Sequence, residues 1–111
     1  MVKPVGDEPE VTVFAWGIVL DPLGYRLAGY RVDDQRGRIT SPLVELDMTA
    51  RTAVTESGRV YTLRGDPDPD AAAEIAKAHM RRAGLTAADV ALVDVEDVVL
   101  AFAPKPTGPW N

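Results

Sequence analysis

Residues 51–64, RTAVTESGRVYTLR, narrow the choice of folds more than any other stretch of the chain. Two runs rich in β-branched and aromatic residues flank Ser57-Gly58. Such residues favour strands. Glycine supplies the positive φ that a tight hairpin loop requires. The pattern predicts an antiparallel hairpin. A two-residue loop sets Glu56 against Arg59, Val54 against Tyr61 and Thr52 against Leu63 on one, mostly apolar, side. The other side then carries Thr55 opposite Val60, Ala53 opposite Thr62, and Arg51 opposite Arg64. Directly opposed like charges repel, so those two arginines must splay into water or share an acidic partner. The neighbouring segments are expected to cover this ribbon, with the capped helix that follows lying across its apolar side.

Residues 11–20 form the most apolar run, with Phe14, Trp16, Ile18 and Leu20 alternating with Val13, Ala15, Gly17 and Val19. Because both faces are apolar, the strand must be covered on both sides or lie centrally in its sheet. Asp21-Pro22-Leu23-Gly24 reads as a turn, returning the chain along residues 25–32. The implied register sets Leu20 against Tyr25, Val19 against Arg26, Ile18 against Leu27 and Ala15 against Tyr30. Trp16 then lies over Gly29, an aromatic covering a strand glycine. Residues 38–47 continue as a strand in which Pro42 calls for an edge or a bulge, with Val44 and Leu46 sharing one face.

Further along, Asp68 suits a helix N-cap, Pro69 the first helical position and Asp70 the positive end of the dipole. Gly84 suits the stop, after Arg81 and Arg82. The helix should run over residues 69–83, with Ala72, Ile75, Ala76, His79, Met80 and Ala83 on one thin apolar stripe. Thr86 and Asp89 form a capping pair for a short turn. Residues 90–102 favour strand by residue type, either one bent strand or two short ones.

A chain of 111 residues suits a single domain. The expected division is a flexible tail at residues 1–10, one domain at 11–102 and a proline-rich tail at 103–111, disordered or packed back through Trp110. There is no cysteine, which excludes disulfides and thiolate metal sites. No apolar run approaches the length of a membrane span, and no apolar leader is visible. A cytoplasmic protein is expected. The net charge of −5 opposes general binding to phosphate backbones.

Asp66, Asp68 and Asp70 alternate like calcium-loop ligands. However, Pro67 and Pro69 stiffen the segment, and Ala71 and Lys77 stand where glycine and glutamate are needed. Helix capping accounts for them. His79, the sole histidine, has no partners for a zinc site and reads as a satisfied structural residue. Ser57-Gly58 lacks the surroundings of a nucleophile elbow, and no phosphate-binding glycine loop is present. No cofactor or metal is expected. Arg26, Arg51 and Arg64, with Tyr30 beside them, form the one candidate contact face, suited to an anion, an acidic partner or single-stranded nucleic acid. The alternative is a solvated sheet face with its charges turned outward.

These features predict an α+β domain, an antiparallel meander of five to six strands packed against one main α-helix. A small SH3-like barrel with an appended helix is the alternative. The expected function is a non-catalytic protein-binding module, inhibitor-like or antitoxin-like, or self-associating as a homodimer through a sheet face or edge. Anion or nucleic-acid binding is the alternative.

Overall fold

The computed structural model describes residues 10–86 and 88–102. Strand β1 (Glu10–Asp21) is the hub. Along one edge it pairs antiparallel with β2 (Gly24–Arg31). Along the other, Glu10–Phe14 pair in parallel with β5 (Val60–Arg64), and Ile18–Leu20 pair antiparallel with β6 (Ala91–Val93). Strands β3 (Gly37–Asp47) and β4 (Thr52–Thr55) complete the meander from β2 to β5. The meander curls until its fifth strand meets its first, so β1 to β5 form a closed ring with β6 appended. The class is α+β: six mostly antiparallel strands with helices α1 (Pro69–Ala83) and α2 (Val95–Phe102). The antiparallel meander of the sequence reading did not include the parallel β1–β5 closure. Of the expected tails, Glu10 belongs to β1; residues 1–9 and 103–111, including Trp110, lie outside the described residues.

The β1–β2 register follows the expected pairing from Leu20–Tyr25 through Ile18–Leu27 and then breaks at a bulge between Phe14 and Gly17. Tyr30 consequently faces Phe14 and not Ala15. Ala15 adopts a left-handed φ of 48°, and the extra residue switches the inward parity of the strand. Val11 and Val13 point into the ring before the bulge, and Trp16 and Ile18 after it. Trp16 still covers Gly29, where an added Cβ would come within 3.1 Å of the Trp16 Cβ.

The hairpin forms, but one register step away from the expected pairing. Val54 faces Val60, Ala53 faces Tyr61 and Thr52 faces Thr62. The reason is the loop. Gly58, at φ 86°, donates its N–H to the Thr55 carbonyl, and Thr55 donates to the Arg59 carbonyl. This is a three-residue loop with a glycine bulge in place of a two-residue turn. Ala53, Thr55, Tyr61 and Leu63 are therefore the buried set, and Arg51 does not oppose Arg64. A bulge between Leu43 and Glu45 acts similarly in β3: Leu43 and Leu46 turn inward, whereas Val44 is exposed and does not share a face with Leu46.

Helix α1 has the expected bounds and caps. Asp68 accepts from the Ala71 N–H, Pro69 opens the first turn, and Gly84 closes the helix in the left-handed conformation. Its position differs from expectation. It lies on β1, β2 and β3 and not on the apolar side of the hairpin, which faces the ring interior. Gly17 and Ala28 permit the close approach. A Cβ at Gly17 would fall 2.6 Å from that of Ala72, and Ala28, Ala72 and Ile75 form a small second core. Ala83 of the expected stripe is exposed. Residues 95–102 are helical where a strand was expected. Val95, Val98, Val99 and Phe102 recur at helical spacing, the Asp94 carbonyl receives the first turn's N–H groups, and Glu96 and Asp97 suit the positive dipole end. Period decides over residue type here because the Val98 side of the helix is buried against the ring core.

Candidate functional site

A buried polar cluster lies where the β1–β2 turn meets the last turns of α1. Asp21 ends β1, and its Oδ1 accepts the Leu23 N–H at 2.9 Å, an Asx bond that shapes the turn. Its Oδ2 lies 3.1 Å from His79 Nε2 on α1 and 2.5 Å from Arg26 Nε on β2. The Arg26 Nε–H is not well directed at that oxygen, whereas its Nη1 donates to the Thr40 carbonyl at 2.8 Å. The Asp21 side chain is 2% exposed and those of His79 and Arg26 13% each. Burial is the largest single influence on the Asp21 carboxyl and would raise its pKa. The Leu23 amide, the His79 imidazole and the Arg26 guanidinium together outweigh it and hold the carboxyl below its ordinary value.

This cluster is built as a latch. One buried carboxylate ties a helix 58 residues away to the β1–β2 turn. The hydroxyl of Thr40, whose carbonyl Arg26 holds, itself donates to the Ser41 carbonyl and accepts from the Leu27 N–H. Among the described residues there is no group of three or more metal-capable side chains. A shallow groove of about 350 Å³ reaches Asp21 from the side of Leu20 and Val90, and His79 does not line it.

The four sequence-predicted contact residues are dispersed. Arg26 belongs to the latch. Tyr30 packs against Phe14, ring centroids 5.8 Å apart, beside the α1 interface. Arg51, at φ 57°, donates from Nε to the Leu63 carbonyl and from Nη2 to that of Gly65. The Gly65 carbonyl also accepts from Trp16 Nε1, so Arg51 closes the chain exit after β5. Arg64 is exposed on β5.

A different surface stands open where β6, α2 and the segment before α1 meet. One groove of about 440 Å³ is lined by Pro67, Leu92, Val93 and Val95 with Asp94 and Glu96. A second, of about 590 Å³, shares Pro67, Val95 and Glu96 and continues to Met48, Val99 and Leu100. Leu92 is 45% and Leu100 75% exposed. The sequence reading treated residues 90–102 as strand, which hid this surface; the 95/98/99/102 spacing, which leaves Leu100 on the opposite side, is the signal that reveals it. Asp21 and His79 had no local signal, since only the tertiary fold brings them together. No helix among the described residues is long and apolar enough to cross a membrane. No protein-family model, curated protein or solved structure matches the chain.

Proposed function

We propose that this chain is a small non-catalytic protein-binding module of the cytoplasm that engages its partner through the joined β6–α2 surface. The observation that carries this reading is the pair of connected grooves with Leu92 and Leu100 exposed along them. Apolar side chains left in water along a concave surface are the usual mark of a docking site. The two cores support the contrast, because the ring closes on its own apolar side chains and α1 covers the outer face of β1 and β2; Leu20, Leu23 and Val44 are also exposed but line neither groove. The arginines favoured by the anion-binding alternative give it less support, since Arg26 and Arg51 already serve internal acceptors.

The test is a stoichiometric capture from native lysate with the full chain and with the double variant Leu92→Asp/Leu100→Asp. Both substitutions are at exposed positions and should change stability little, by about 0.5 kcal/mol each, which circular dichroism and a thermal melt check. A partner held in fixed ratio by the native chain and lost by the variant supports the reading. A partner retained by the variant, or recovery of monomer alone, overturns it.

A further inference from the structure

We infer that the occupant of the β6–α2 surface is a protein segment with an apolar centre and lysine or arginine on its flanks. This deepens the docking reading and rests on it. The floor of the joined grooves is apolar, but the titratable lining is of one sign: Asp94 and Glu96, with no lysine or arginine among the described residues that line either groove. Asp66 and Asp68 bracket Pro67, which lines both grooves, and both are exposed. Asp97 is exposed on the first turn of α2.

That rim discriminates among occupants. A second copy docked through the same surface about a two-fold axis would set one acidic rim against the other, and like charges juxtaposed across an interface oppose association. A nucleic acid would bring phosphates against the same carboxylates. A purely apolar segment would fill the floor and leave the rim unanswered. A basic-flanked segment satisfies both floor and rim, with rim charges setting selectivity and encounter rate more than total affinity.

The test uses fluorescence anisotropy of the full chain with two labelled peptides sharing a Leu-Val-Val-Leu centre, one flanked by paired lysines and one by paired glutamates. The lysine-flanked peptide should bind about tenfold more tightly at low salt, as a few rim ion pairs supply, and the gap should close as salt rises. The variant Asp94→Lys/Glu96→Lys should reverse the order. Equal binding of both peptides, an unchanged order in that variant, or no binding by either overturns the basic-flanked partner. Equal binding abolished by Leu92→Asp/Leu100→Asp leaves the docking reading standing and removes only the charge assignment. Peptide binding that survives the double leucine variant removes both.

Discussion

The two faces of β1 are packed by different physics. Toward the ring it presents Val11, Val13, Trp16 and Ile18, all buried in the main core. Toward α1 it presents Gly17 and Val19, then ends in Asp21. The inner face is stabilised by large apolar area removed from water. The outer face has little such area to offer, because Gly17, Ala28, Ala72 and Ala76 are small. It relies on close approach and on the carboxylate that holds His79 and Arg26. The lesson is that one strand can carry two interfaces that should fail in different ways, the inner with lost volume and the outer with added volume or lost charge.

The largest effect should come from the inner face. Trp16→Ala removes a fully buried ring and the Nε1 donor to Gly65. It should cost about 3–5 kcal/mol in urea-induced unfolding, a large share of the roughly 5–15 kcal/mol typical of a domain. A cost comparable with that of an exposed residue would mean that the ring interior is not the principal core.

On the outer face, Asp21→Asn keeps the shape and removes the charge shared by Arg26 and His79. The expected loss is about 1.5–3 kcal/mol. Its pH dependence sharpens the comparison. The Asp21 carboxyl sits below its ordinary value of 3.8 in the folded chain, so the folded state favours its ionised form. The stabilisation is therefore fully present above the unfolded pKa and is lost as pH falls through the lower folded pKa. The gap between native chain and variant should narrow as pH falls below about 4, where an unfolded aspartate begins to take up its proton. A gap that widens over that acid range would reverse the assignment.

The smallest of the three effects is steric. Gly17→Ala places a methyl 2.6 Å from the Ala72 Cβ, and overpacking of this kind costs about 1–3 kcal/mol. Ala72→Gly, itself worth about 1 kcal/mol of helix propensity, should recover part of that loss in the double variant, giving a non-additive cycle. Strict additivity would show that α1 does not lie against Gly17.

The features legible in the sequence are those with local causes. Asp68, Pro69 and Gly84 mark α1 to the residue, since each acts on backbone groups within one turn. The register of β1 on β2 was readable as far as the bulge for the same reason, the tight Asp21–Gly24 turn. Legibility ends where one residue can serve two geometries. Gly58 fits a two-residue turn and a glycine bulge equally well, and the choice shifts every pair along β4 and β5. Valines at 95, 98 and 99 fit strand by type and helix by spacing, and the tertiary contact at Val98 settles which. The latch joins residues far apart in the chain and leaves no local trace, whereas the β6–α2 surface has one, the helical spacing of Val95, Val98, Val99 and Phe102.

Parallel pairing of β1 with β5 also bears on how the chain reaches this state. Val11 must wait for Tyr61, about fifty residues downstream, so β1, made before the other described strands, is among the last to be completed. Closing so long a loop is entropically uphill until the non-local contacts form. Truncations that stop short of Arg64 should therefore lack a stable intermediate, and acquisition of structure during synthesis should be late and abrupt.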